Sequence, residues 1–239
     1  GEVTCWGYNV NGEINYPLGI FTKVEAGQMH NCGMDALGYI ECWGGNLYNQ
    51  VSSSPTGSGF IDLAVGDYHT CALDSGGLVT CWGSNLNNQL STTSVSTIQL
   101  TSLSAGDNFT CGTTTIGGQV CWGDNQYQQS SGVPSGTIFS QLSLGEKVGC
   151  GLDSNNTIQC WGQAIHPSYN APNAPFIQFD LSQNNGCAIS PIGEIECWGD
   201  NNSGQASPPT DEYIEISVGW DHACALNITE NIHCWGRNH

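Results

Sequence analysis

Thirteen cysteines dominate the chemistry that this 239-residue sequence can support. Seven of them open a Cys-Trp-Gly triplet, and six of those triplets are preceded, always at a ten-residue offset, by another cysteine. Pairs at a constant offset are typical of a disulfide ladder. The sequence therefore predicts six disulfides: Cys32–Cys42, Cys71–Cys81, Cys111–Cys121, Cys150–Cys160, Cys187–Cys197 and Cys224–Cys234. Cys5 opens the first triplet without such a partner and is expected to be unpaired or bonded to another molecule.

Zinc binding is the alternative chemistry for regularly spaced cysteines. Nine residues separate the cysteines of each pair, no Cys-x-x-Cys motif occurs and no histidine accompanies every pair, so the pattern fits a zinc site poorly. We expect neither a metal nor another cofactor. Disulfide ladders persist in oxidising compartments, which predicts a secreted, extracellular protein.

Three histidines recur two residues before the first cysteine of a pair, at His30, His69 and His222. Phenylalanine, valine or asparagine takes that place in the other repeats, which favours a structural role over a ligating one. The sequence contains no Gly-x-Ser-x-Gly elbow, no His-Glu-x-x-His motif and no phosphate-binding glycine loop. We therefore predict a protein that is not an enzyme and has no catalytic residues.

Aromatic side chains outside the periodic pattern are the candidates for binding. Trp220 occupies a loop position that is polar in four sister repeats, and no packing rule of the repeat demands an indole there. Tyr68 stands beside that position in register, and Tyr48 and Tyr127 each follow the tryptophan of a triplet by five residues. For each of the four residues, the alternative is a plain surface aromatic.

Four Asn-x-Ser/Thr sequons are candidate glycosylation sites: Asn108, Asn155, Asn201 and Asn227. Their number matches chance, but Asn155 and Asn227 fall at predicted hairpin tips, where a glycan is sterically tolerated.

These residues are positioned by a repeated β-hairpin. The triplets start 37 to 40 residues apart, and each repeat begins with a short apolar run, such as residues 60–65, that is typical of a strand. Six positions past the first cysteine stands glycine or asparagine, which suits the left-handed end of a three-residue hairpin loop; only the last repeat departs, with Glu230. The paired cysteines then face each other across two antiparallel strands.

Alternation with a period of two assigns both faces of each sheet to the core. Aliphatic residues such as Leu73 and Val79 share the face of the disulfide. On the other face a small residue, such as Ala72, follows the first cysteine, and the tryptophan ring is expected to lie over it. Sheets with two buried faces and no helix between them stack as a solenoid or as blades around an axis, and the blade arrangement is favoured.

The repeat Gly-x-x-His-x-Cys-Ala-Leu, a glycine turn and Cys-Trp-Gly-x-Asn-x-x-Gly-Gln resembles the regulator of chromosome condensation repeat. The resemblance covers nearly the whole chain; residues 163–168 lack the Asn and Gly-Gln elements, and residues 182–186 lack the usual glycine and histidine. The repeat length is similar to that of the short-blade branch, which includes a secreted bacterial β-lactamase-inhibitory propeller. Paired cysteines are an addition to the common pattern.

The resemblance implies an all-β fold, a seven-bladed β-propeller with its first blade incomplete. Six complete repeats and an N-terminal half repeat would form a single domain over residues 1–239. The half repeat that carries Cys5 lacks the strand of its partner, so we expect a segment from outside these residues, on a precursor or a neighbouring subunit, to complete it. A trimmed N terminus with a free thiol is the alternative.

The charge and hydropathy of the chain limit the classes of partner that it can bind. Lys plus Arg total 3 against 21 Asp plus Glu, a formal net charge of -18, which excludes a nucleic-acid surface and an anionic membrane patch. No run reaches the roughly 18 apolar residues of a spanning helix, so no membrane insertion is expected. The sequence predicts a secreted, non-catalytic propeller that binds proteins or assembles with itself. The alternative is a carbohydrate-binding propeller.

Overall fold

The computed structural model describes residues 1–92 and 95–238. These residues form two compact units, Gly1–Asn125 and Gln126–His239, and each unit carries three antiparallel sheets of three strands. In every sheet the strands pair in chain order. The all-β prediction is confirmed, and the six sheets are consistent with six blades and a partial one.

The N-terminal unit contains strands β1 (Lys23–Ala26), β2 (His30–Met34), β3 (Ile40–Gly44), β4 (Phe60–Val65), β5 (His69–Asp74), β6 (Val79–Gly83), β7 (Leu100–Ala105), β8 (Phe109–Thr114) and β9 (Gln119–Gly123). The C-terminal unit contains strands β10 (Phe139–Leu144), β11 (Val148–Asp153), β12 (Ile158–Gly162), β13 (Gln178–Leu181), β14 (Asn185–Ile189), β15 (Ile195–Gly199), β16 (Tyr213–Val218), β17 (His222–Asn227) and β18 (Ile232–Gly236). A short 3₁₀ helix spans Pro167–Tyr169. No helix in the described part of the chain is long and apolar enough to cross a membrane.

The second and third strands of each sheet form the predicted hairpin. Its tip residue, six positions past the first cysteine, has a positive φ in all six sheets, with values from 61° to 84°. Glu230 adopts this conformation with a φ of 63°. Asn227 Oδ1 accepts the backbone N–H groups of Thr229 and Asn231, and the aspartates at this position in the first two hairpins accept the same two bonds.

The hairpins place the paired cysteines directly opposite each other. Their Cα atoms are 4.0–4.1 Å apart, the narrow spacing of a pair that exchanges no backbone hydrogen bonds. The structure contains six disulfides: Cys32–Cys42, Cys71–Cys81, Cys111–Cys121, Cys150–Cys160, Cys187–Cys197 and Cys224–Cys234.

The core lies between consecutive sheets of a unit. The disulfide face of one sheet packs against the tryptophan and the first strand of the next, so each interface buries both partners. The first interface of the N-terminal unit buries Cys32, Met34, Ile40, Cys42, Leu63, Val65, Ala72 and Trp82.

The tryptophan does not occupy the small-residue gap that the sequence predicts for it. A Cβ atom added to Gly151, which follows the first cysteine, would stand 2.4 Å from the ring of Phe139, whereas one added to Gly149 would stand 2.5 Å from Trp161. The cross-strand register explains this difference from the prediction, because Trp161 pairs with Gly149. The space beside Gly151 is filled instead by Phe139, the first residue of β10.

The indole of the Cys-Trp-Gly tryptophan in each of the six sheets also bonds to the repeat before its own. The acceptors are backbone oxygens 2.8–3.0 Å away: Glu13 for Trp43, Gln50 for Trp82, Gln89 for Trp122, Gln129 for Trp161, Ser168 for Trp198 and Gln205 for Trp235. Glu13 follows Trp6 by seven residues, as Gln50 follows Trp43. The N-terminal half repeat therefore caps the first sheet as the loop of a full repeat would.

Candidate functional site

The four predicted binding aromatics all lie at one end of their sheets. Tyr68 and Trp220 stand between the first and second strands, and Tyr48 and Tyr127 follow a third strand. Because the strands alternate in direction, both kinds of loop leave the sheet at the end opposite to the hairpin tip. We call this the loop end of a sheet.

A buried glutamine shapes the loops that carry Tyr48 and Tyr127. The backbone N–H of Tyr48 donates to Gln50 Oε1 at 2.7 Å, and that of Tyr127 donates to Gln129 Oε1 at 2.8 Å. Between tyrosine and glutamine stands a residue with a positive φ in both loops. The recurrence of glutamine seven residues past the tryptophan is the sequence signal for this anchor, which was not among the predicted binding residues.

Tyr48 and Tyr68 come together in the N-terminal unit. Their ring centroids are 5.3 Å apart, and the ring planes meet at 67°. The Tyr68 hydroxyl donates a hydrogen bond to Gln28 Oε1, on the loop end of the preceding sheet. Partial burial and the negative charge of Asp67 raise the pKa of the Tyr68 hydroxyl, so the ring lies in a negative potential.

Tyr127 meets a lysine at the equivalent place of the C-terminal unit. Lys147, at the position of Tyr68 in its repeat, holds its Nζ 5.7 Å from the centroid of the Tyr127 ring, which is a cation–π contact. Glu146 anchors that ammonium at 2.7 Å and lies 3.8 Å from His166 Nε2. Burial lowers the pKa of His166, partly opposed by Glu146.

Trp220 is separate from these clusters and remains 53% exposed. The tryptophans of the second to sixth triplets are 3–8% exposed, so Trp220 differs from the periodic indoles in burial as well as in sequence position. Beside it, Asp221 accepts a hydrogen bond from Arg237 at 3.1 Å.

Two histidines at the repeated position are structural. His30 and His69 are fully buried, and their Nε2 atoms are hydrogen-bonded at 2.8 Å to the hydroxyls of Thr70 and Thr110 in the next sheet. Burial lowers the pKa of His30 to about 4 and that of His69 to about 3. Within residues 1–92 and 95–238, no three His, Cys, Asp or Glu side chains are grouped as a metal site would require.

Cys5 is the free cysteine of the described chain and is half-buried. Burial raises the pKa of its thiol, partly opposed by a hydrogen bond with Trp43. A raised pKa reduces the fraction of reactive thiolate at neutral pH.

The four sequons differ in accessibility. Asn155 and Asn201 are exposed, whereas Asn108 is half-buried and accepts a hydrogen bond from Gln89. Asn227 is 4% exposed and lies at the end of β17 rather than at the tip predicted for it. Its side-chain nitrogen donates to Asp211, so the atom that would carry a glycan is engaged in the fold.

The repeat pattern also matches a sequence family. The Regulator of chromosome condensation (RCC1) repeat matches residues 60–89, 100–129 and 213–239. These stretches contain the strands, hairpins and Cys-Trp-Gly triplets described above. The chain carries RCC1 repeats. The six disulfides, one in each sheet, fit a cysteine-paired branch of RCC1 repeats.

Two solved ectodomains are similar to this RCC1-repeat chain over most of its length. The CRINKLY WD40 ectodomain of the Arabidopsis thaliana receptor kinase ACR4 is 26% identical, with a TM-score of 0.76, over 90% of this chain and 79% of that one. The entire ectodomain of the Physcomitrella patens receptor kinase CR4 is 26% identical, with a TM-score of 0.82, over 98% of this chain and 66% of that one.

Yeast RCC1 (Prp20), solved with Kap60 bound, shares the fold at 17% identity and a TM-score of 0.65, over 80% of this chain and 59% of that one. No curated protein matches the RCC1-repeat chain by sequence.

Proposed function

We propose that the chain is a secreted, disulfide-reinforced and non-catalytic module that binds a protein through the loop ends of its sheets. The observation that carries the proposal is a set of accessible aromatic side chains, Trp220 and the Tyr48–Tyr68 pair, on loops fixed to disulfide-bonded sheets. Rigid aromatic residues bury large areas at low entropic cost, so they are the usual anchors of protein interfaces.

An extracellular location is supported by two observations. Six disulfides suit an oxidising compartment. The two similar structures at 26% identity are receptor-kinase ectodomains, which are extracellular parts of their proteins. The carbohydrate-binding alternative has no support from these relatives.

Affinity capture from the extracellular fluid of the source organism, followed by titration of the purified partner, tests the proposal. The test variant is Tyr48→Asn/Tyr68→Asn/Trp220→Asp, because other repeats have asparagine at the first two positions, as Asn87 and Asn108, and aspartate at the last. We expect the partner to lose at least tenfold in affinity.

The matched control is Ile116→Asn, which changes an exposed apolar residue at a hairpin tip to the type found at Asn155. It should bind the partner as the wild type does. Undiminished binding by the triple variant, or equal loss in the control, would show that the interface lies elsewhere.

Assembly between copies is a second candidate, favoured by the last sheet. Ile232, on its disulfide face, is 58% exposed, whereas the equivalent Val79 and Ile40 are 6% and 8% exposed under the next sheet. We propose that a sheet of the same repeat type from another copy covers this face, and that Cys5 bonds to a segment outside residues 1–239. Intact mass with and without reductant tests this candidate. A monomer of unchanged mass, with Cys5 alkylated in the native state, would eliminate it.

A further inference from the structure

The aromatic pair of the N-terminal unit forms a preshaped corner. The rings of Tyr48 and Tyr68 form an edge-to-face pair, with centroids 5.3 Å apart and planes at 67°, so they meet as two walls of a corner. The Gln50 anchor fixes the backbone of Tyr48, and the hydrogen bond to Gln28 fixes the ring of Tyr68. Both tyrosines are half-buried, so the corner is held in place and still reaches solvent.

The equivalent tyrosine of the C-terminal unit contacts a cation. At the equivalent positions Tyr127 replaces Tyr48, and Lys147 replaces Tyr68. The Lys147 ammonium lies 5.7 Å from the centroid of the Tyr127 ring, with the carboxylate of Glu146 at 2.7 Å from Nζ. The loop backbone has the same glutamine bond in both places. A tyrosine at this point of the repeat can therefore contact a cation.

The N-terminal corner has an acidic residue at the position of Glu146 but a tyrosine at the position of Lys147. Asp67 stands where Glu146 does, and its charge contributes to the raised pKa of Tyr68. The chain has only three lysine and arginine side chains, and each is ion-paired elsewhere: Lys23 with Glu25 and Asp62, Lys147 with Glu146, and Arg237 with Asp221. A cation over Tyr48 must come from another molecule.

We propose that Tyr48 and Tyr68, with Asp67 beside them, form a half-cage that binds a lysine or arginine side chain of a protein partner. The rings attract the cation through their quadrupoles, and the negative charge of Asp67 adds electrostatic attraction. The net charge of -18 attracts basic partners from a distance. The inference rests on the proposed protein-binding role and adds the chemistry of the partner's contact residue.

Short peptides test the half-cage without the partner. The probes are N-acetyl-Gly-Arg-Gly-amide, its lysine analogue and a citrulline analogue that is neutral but nearly isosteric with arginine. Titration into tyrosine-labelled protein, followed by NMR, reports on the rings of Tyr48 and Tyr68. We expect the two cationic peptides to shift both ring signals and to bind at least tenfold more tightly than the citrulline peptide.

Reciprocal variants supply the controls. Tyr68→Lys reproduces the arrangement of the C-terminal unit and should weaken arginine binding at least tenfold, because the chain then holds its own cation there. Lys147→Tyr should create a second arginine-responsive site that shifts the Tyr127 signal. Tyr48→Asn matches Asn87 and should also lose binding.

Equal affinity for the citrulline and arginine peptides would overturn the inference, as would unchanged arginine binding by both Tyr68→Lys and Tyr48→Asn. These outcomes are independent of partner capture. If the peptides bind at the tyrosines but no protein partner is found, the half-cage stands and the proposed function fails.

Discussion

Acid should destabilise this fold through two buried histidines. His30 and His69 are uncharged in the folded state, with pKa values of about 4 and about 3. In the unfolded chain a histidine has a pKa of about 6.5. Below that pH the unfolded state binds more protons than the folded state, so stability is complete above pH 6.5 and is lost as the pH falls toward 4.

The magnitude follows from the gap between the two pKa values. Each pKa unit corresponds to about 1.4 kcal/mol, so His30 alone should remove about 3 kcal/mol between pH 7.5 and pH 4.5, and His69 should remove a similar amount. Guanidinium unfolding at these two pH values, with the disulfides intact, measures the loss.

Neutral variants separate the histidines from the carboxylates, which also titrate in acid. In His30→Gln/His69→Gln the side-chain amide reaches toward the threonine hydroxyls but cannot take up a proton. We expect this variant to lose several kcal/mol less than the wild type between pH 7.5 and pH 4.5. His222→Gln is the control, because His222 occupies the same repeat position but is exposed. An equal loss of stability in the wild type and the double variant would refute the assignment of the acid sensitivity to the buried imidazoles.

Three further outcomes are expected. Trp82→Ala should lower the unfolding free energy by about 3–5 kcal/mol, because Trp82 is buried and hydrogen-bonded to Gln50. Trp220→Ala should change it by less than about 0.5 kcal/mol, because Trp220 is exposed. Equal thermal unfolding temperatures of the two variants would contradict this difference. Asn185→His alone should destabilise the fold, because a Cβ at Gly66, the equivalent of Ser182, would stand 2.4 Å from the His69 ring, and Ser182 has this atom. Ser182→Gly/Asn185→His/Ala223→Thr restores the glycine and the His–Thr pair of the other repeats, so calorimetry should find it more stable than the single variant. Equal stability of the two variants would show that the His–Thr pair does not stabilise the fold. On expression in a eukaryotic secretory pathway, glycopeptide mass spectrometry should find Asn155 occupied and Asn227 unmodified, and a glycan on Asn227 of the folded protein would show that its hydrogen bonds are not maintained.

The repeat made much of the fold predictable. The constant cysteine offset and the left-handed position six residues later define each hairpin and its register, because a hairpin loop of fixed length leaves one pairing of the strands. The paired loss of glycine and histidine near residues 182–186 also has a local cause. The imidazole of His69 packs against the α-carbon of Gly66, three residues earlier, and leaves no room for a side chain there. A repeat that has serine at the glycine position, as at Ser182, therefore has a smaller residue, Asn185, in place of the histidine.

Contacts between repeats were less predictable. Tyr48 and Tyr68 are 20 residues apart in consecutive repeats, and only the stacking of sheets brings their rings together. The tryptophan was predicted over the residue after the first cysteine, but the register of β11 and β12 places Trp161 over Gly149. Likewise, the Asn227 sequon gives no sign that its amide holds the hairpin turn.

Hydrogen–deuterium exchange on the chain, free and bound to its captured protein partner, tests most directly whether the loop ends of the sheets form the interface. Protection on binding is expected in residues 46–50 and 66–68 of the N-terminal unit and in residues 219–221 of the C-terminal unit. Protection confined to the hairpin tips, such as residues 35–38 and 114–117, with the loop ends unchanged, would contradict the proposed mode of binding.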